Sequence, residues 1–106
     1  MGFTRLAKVN SLLMTEVGRA LGRHTFTGAI ATVTAVETAP DLRAATVWIS
    51  LVPDSDAAWE EVTVLRGVLQ SHVADRAHMK RTPVLTLQRD FGGAHARHIE
   101  DLLQSL

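Results

Sequence analysis

The sequence predicts an α+β domain of two layers, in the order α-β-β-α(kink)α-β-α, with helices on one face of a three-stranded mixed sheet. Three observations lead there. Apolar residues recur at three-to-four spacing over residues 4–23 and again from Trp59 to about residue 80, the period of a helix with one buried face. Between them lie two runs rich in β-branched residues, 29–37 and 43–52, whose link is too short for a parallel crossover, so they pair antiparallel. A third run, Val84 to Asp90, follows after an intervening helix, a connection that permits a parallel pair.

In the first helix Leu6, Val9, Leu13, Val17 and Ala20 mark the buried face, and Thr4 is the expected N-cap. Gly22 weakens its end, and His24 to Gly28 reads as a connection. The hairpin turn spans Thr38 to Leu42, where Pro40 fixes φ and Asp41 can bond its own backbone. In the second strand Ala45, Val47, Ile49 and Leu51 point to one face and Thr46, Trp48 and Ser50 to the other. Val52-Pro53-Asp54-Ser55-Asp56 breaks that strand and offers N-caps for the long helix, whose apolar face is Trp59, Val62, Leu65, Leu69, Val73 and Ala77. Gly67 inside it costs about 1 kcal/mol against Ala, so it marks a kink or lets something approach closely. Thr82-Pro83 ends the helix. After the third strand Gly92-Gly93 turns the chain into a final helix, 94–105, packing through Ile99, Leu102 and Leu103.

At 106 residues the chain makes a single domain, 1–106, long enough for a core without staples. It has no cysteine, which excludes disulfides and thiolate metal sites and permits a cytoplasmic location. No run approaches a membrane span, the first residues lack an apolar signal core, and Leu6 breaks the myristoylation pattern that Gly2 would open. Eleven basic and eleven acidic residues give zero formal charge, which argues against a generic nucleic-acid binder. The distribution is polarised. Glu37 to Glu61 holds six acids and one base, Arg43, whereas Arg66 to His98 holds six bases, two acids and four of the five histidines. Such polarity can orient a protein against a phosphate surface; the plainer alternative is a solvated surface of mixed charge.

The segment Asp41-Leu42-x-x-Ala45-x-Val47-x-x-Ser50 resembles the second-strand signature of the bacterial ribosome-binding factor A family. Gly67, followed sixteen residues later by Pro83 and then by Leu85 and Asp90, is similar to the rest of that signature. Arg5, Val9, Leu13 and Glu16 in the first helix, Val36-Glu37, Lys80, and the closing Ile99, Leu102 and Leu103 extend the resemblance over nearly the whole chain. There are departures. The family's Ala-x-Gly kink is Leu65-Arg66-Gly67, an arginine three residues after that Gly is Gln70, and the Arg before the Pro is Lys80, which keeps charge but loses the bidentate fork. The resemblance implies a KH-like domain of the second type and a non-catalytic ribosome-assembly factor. Such a factor would be a cytoplasmic monomer without cofactor. It would bind the small (30S) ribosomal subunit and its 16S rRNA, and support late maturation and 5′-end processing of that RNA, with no role for DNA or membrane.

Six basic residues are candidates for RNA contact: Arg66, Arg76, Lys80, Arg81, Arg89 and Arg97. At about 100° per residue, Arg66, Lys80 and the Leu69–Val73 seam cannot all share one helix face, so some contact phosphate and others are only solvated. His95 and His98 stand three apart on the last helix, but no third ligand accompanies them, and a metal site is not expected. Trp48 and Trp59 read as packing residues rather than base-stacking platforms, and Asp41 as a turn residue rather than half of an acid pair with Asp90. No catalytic constellation emerges. A protein-interaction or regulatory domain without an RNA role is the rival reading, favoured by the zero net charge.

Overall fold

The computed structural model describes residues 2–24, 26 and 28–91, with side chains from Arg5 onward. Helix α1 (Gly2–Gly22) buries Val9, Leu13, Val17, Ala20 and Leu21, the stripe its spacing demands. It starts ahead of Thr4, which lies inside the helix and not at its boundary. A cap is worth only about 1 kcal/mol, and nothing in Gly2-Phe3 forbids one more half-turn. At the other end Arg23 N and His24 N donate to Ala20 O and Leu21 O at 3.2 and 3.1 Å, which tightens the last turn and satisfies two orphan carbonyls.

Strands β1 (Ile30–Thr38) and β2 (Ala44–Val52) form the expected antiparallel hairpin. Its turn is closed by Leu42 N donating to Ala39 O at 2.8 Å and by Arg43 N donating to Asp41 Oδ1 at 3.0 Å, so Asp41 is the turn residue its chemistry suggests. Leu42 sits at φ +62°, a left-handed conformation uncommon for a side chain of its size. Between Val33 and Ala35 the register slips at a β-bulge, which the sequence does not announce. The bulge frees Thr34, whose hydroxyl lies 2.6 Å from Asp90 Oδ2 and 3.3 Å from Trp48 O; the single proton goes to the closer carboxylate.

The long helix is two. Helix α2 (Asp56–Val64) is capped by Ser55, whose hydroxyl accepts from Ala58 N at 3.1 Å, and α3 (Arg66–Arg76) follows after a break at Leu65. Gly67 falls in the first turn of α3, just past the break; its φ is not positive, and a Cβ there would meet nothing within 4 Å. Helix α3 stops at Arg76 and not near residue 80, because His78 at φ +50° turns the chain out of the helical path. Lys80 and Arg81 therefore lie on the connection to β3, which leaves their side chains free of helix geometry.

Strand β3 (Val84–Arg89) pairs parallel with β2, giving the order β1-β2-β3 and the mixed sheet predicted. The inward set of β2 (Ala45, Val47, Ile49, Leu51) joins Val36 and Leu85 against the apolar faces of α1, α2 and α3 in one core. The free edge of β3 is covered at Leu85 by α3. Gln70 Oε1 accepts from Leu85 N at 2.8 Å, Gln70 Nε2 donates to Pro83 O at 2.9 Å, and Arg66 Nε donates to Leu85 O at 2.9 Å. Between α1 and α3, Glu16 and His72 face each other at 3.8 Å, both about nine-tenths buried; Glu16 Oε1 accepts from Arg19 Nη1 at 3.0 Å, while Glu16 Oε2 and His72 Nε2 lack hydrogen-bond partners among the described residues. The Gly92-Gly93 turn, the expected final helix 94–105, and with it His95, Arg97 and His98, lie outside the described residues.

Candidate nucleic-acid interface

The predicted basic residues divide by what their charged groups hold. Arg66, the first residue of α3, is pinned along the sheet edge by its bond to Leu85 O, and its Nη2 lies 3.4 Å from Gln70 Oε1. Arg89, the last residue of β3, lies between two acids on the other side of the molecule's charge divide. Its Nη2 is 2.9 Å from Asp54 Oδ1, its Nη1 2.7 Å from Asp56 Oδ1, and its guanidinium stands 4.5 Å over the Phe91 ring. The hydrogen bond to Asp56 raises the Arg89 pKa, partial burial opposes this, and Asp54 adds to the rise. Both arginines act first as ties between elements, Arg66 from α3 to β3 and Arg89 from β3 to the start of α2.

Arg76, Lys80 and Arg81 are different. All three are exposed, and none makes an ion pair or side-chain hydrogen bond among the described residues. Lys80 and Arg81 do not stand alone. The packing of α1 against α3 brings Arg5, from the first turns of α1, to the same place, and the three cations line a cleft of about 680 Å³. Its floor is apolar, made by Val9 of α1, Leu42 of the hairpin turn and Met79. Pro40 and Asp41 complete the wall, and Asp41 has one oxygen committed to Arg43 N. Both non-glycine residues with positive φ among the described residues border this cleft, since Leu42 lines it and His78 immediately precedes Met79.

Arg5 is the residue that charge counting missed. It belongs to neither charge block and lies far from Lys80 in the chain, so only the helix packing reveals the association. The packing role read for Trp59 holds, since it packs against the core; Trp48 is half-buried and in register with Ala35, outside that core cluster. Asp41 accepts from Arg43 N just before β2 and Asp90 N donates to Ile49 O well along that strand, so they are no acid pair. Among the described residues no three His, Cys, Asp or Glu side chains group to hold a metal ion, and no helix is long and apolar enough to cross a membrane.

What the cleft can do chemically is bind an anion that also carries an apolar part, because three cations, against the single carboxylate Asp41, border the apolar side chains Val9, Leu42 and Met79. Comparison with known proteins bears on which anion. A ribosome-binding factor A from Akkermansia muciniphila is 33% identical over 105 residues, covering 96% of this chain and 84% of its own length. One from Clostridium novyi is 30% identical over 109 residues, covering 96% and 89%. The crystal structure of ribosome-binding factor A from Thermus thermophilus superimposes with a TM-score of 0.70 at 19% identity, over 79% of this chain and 93% of that one. Over the described residues, the α+β, KH-like fold expected from the sequence is thus the fold observed. The sequence model of the family described as ribosome-binding factor A matches residues 5–103, and the chain belongs to that family.

Proposed function

We propose that this chain is a non-catalytic ribosome-assembly factor that binds the small ribosomal subunit through the cationic cleft and the neighbouring end of α3. Its partner RNA is 16S rRNA, and its task is late maturation of that RNA, including 5′-end processing. The observation that carries the reading is the set of cations without an ion-pair partner among the described residues, Arg5, Arg76, Lys80 and Arg81, presented by a chain of this family whose net charge is zero. A neutral protein with one local cationic face is suited to a defined phosphate geometry, not to nucleic acid at large. A Thermus thermophilus relative of the same fold, aligned at a TM-score of 0.65 and 18% identity, has been fitted into the cryo-EM map of a complex with 30S, which supports the choice of partner.

The mechanism is positional. The cations neutralise phosphates while the sheet and the helices packed on it hold one RNA conformation, so the factor favours the immature subunit and shifts its population. The chain works in this role as one KH-like domain, 1–106, a cytoplasmic monomer without cofactor. Cosedimentation of purified protein with isolated small and large subunits tests the reading. Binding to small subunits alone is expected; binding to neither particle from folded protein would overturn it and leave a protein-interaction domain.

A further inference from the structure

We infer that the cleft bordered by Arg5, Lys80 and Arg81 is a seat for one unpaired RNA nucleotide, with its base against Val9, Leu42 and Met79 and its flanking phosphates on the three cations. The inference rests on the RNA-binding reading above and specifies its ligand. Four observations converge on it. First, the cleft lies at the opposite end of α3 from the break at Leu65, about 16 Å away for an 11-residue helix, so it is separate from any contact made at the kink. Secondly, its volume of about 680 Å³ falls in the range of small-ligand sites, not of the flat surface that a duplex would track. Thirdly, a duplex presents phosphate and ribose outward and keeps its bases stacked, so an apolar floor below the cations would gain nothing from it; an unstacked base fits both features. Fourthly, Leu42 in the cleft lining and His78 next to the lining residue Met79 hold left-handed backbone, and such strain is concentrated where a site's shape matters. The neutral net charge agrees, because only a local set of cations is available to grip RNA.

The expected gain from the floor follows from area. Covering about 60 Å² of apolar surface at about 25 cal/mol per Å² corresponds to about tenfold in affinity. The test is fluorescence anisotropy of the full chain with three labelled hexamers of RNA: single-stranded, duplex, and single-stranded with the central two bases absent. The single strand is expected to bind about tenfold tighter than the abasic strand and tighter than the duplex. Met79→Ala should shrink the first ratio toward one while leaving abasic binding unchanged, and Met79→Gln, which keeps side-chain length, should do the same in a fully folded protein. Lys80→Glu with Arg81→Glu should weaken single-stranded and abasic binding alike. Equal affinity for abasic and intact strands, or preference for the duplex, overturns the inference. If small-subunit cosedimentation persists in that case, the assembly-factor reading stands without the nucleotide seat. If base discrimination holds but no subunit is bound, the seat stands and the partner is wrong.

Discussion

Gln70 should matter far more to stability than a half-exposed polar residue normally does. Its carboxamide accepts from Leu85 N at 2.8 Å and donates to Pro83 O at 2.9 Å, and Leu85 is 0% exposed. Truncation to Ala removes the partners of both backbone groups. An unmet buried donor or acceptor costs about 1–3 kcal/mol, so two set a range of about 2–6 kcal/mol. Gln70 itself is only half-buried, and water entering the vacated space holds the loss to about 2–3 kcal/mol. In a domain of this size that lowers Tm by about 8–20 °C. Gln70→Arg is the sharper variant, because arginine is the residue the family resemblance leads one to expect there. Arginine donates but cannot accept, so Pro83 O keeps a partner and Leu85 N–H loses one, at a cost of about 1–3 kcal/mol. Urea denaturation followed by the fluorescence of Trp48 and Trp59 measures both, with an unchanged m-value required for the comparison. Gln70→Ala within about 0.5 kcal/mol of the parent, below the range argued, would refute the edge-sealing role. A Gln70→Arg variant as stable as the parent would refute the argument from acceptor chemistry.

Three further outcomes are expected. Gly67→Ala should stabilise the protein by about 0.5–1 kcal/mol in the same denaturation assay, since φ is not positive and a Cβ meets open space; a loss would show that Gly67 is needed by the folded backbone. Arg89→Ala should lower thermal stability by releasing Asp54 and Asp56, yet leave small-subunit cosedimentation unchanged, whereas Arg76→Glu should weaken cosedimentation at unchanged Tm; the reverse pattern would exchange their assigned roles. Replacing the facing pair with Glu16→Met and His72→Leu removes two buried atoms that lack hydrogen bonds among the described residues, together with the exposed Arg19–Glu16 bond, which is worth little, and urea unfolding should show a gain of about 1–4 kcal/mol; destabilisation would mean that the Arg19 bond or the Glu16–His72 contact outweighs the burial cost.

The fold was legible where periodicity is strong. Alternation in β2 and the three-four stripe of α1 each identify a buried face, and a short link against a helical link separates the antiparallel from the parallel pairing. Other features left no mark in the sequence. The bulge at Thr34 sits in a run of β-branched residues that looks regular, because one inserted Thr changes neither propensity nor composition. Helix α3 ends at Arg76 through a left-handed His78, without the Gly or Asn that ordinarily announces such a stop. The candidate site was half legible. Residue type identified Arg66 and Arg89 as cations but could not show that Leu85 O or Asp54 and Asp56 already hold them, since those partners lie 19 to 35 positions away. For the same reason Arg5 could not be joined to Lys80 and Arg81 before the packing of α1 on α3 was known.

The salt dependence of small-subunit affinity, measured for the parent and for Arg5→Glu/Lys80→Glu/Arg81→Glu, tests the central claim most directly. If the three cations sit on RNA phosphates, the parent weakens steeply as salt rises, and the variant binds more weakly with a slope of log affinity against log salt shallower by about 2. A variant with the parent's affinity and slope, folded by its tryptophan fluorescence, would contradict the assignment of this cleft as the RNA-binding face.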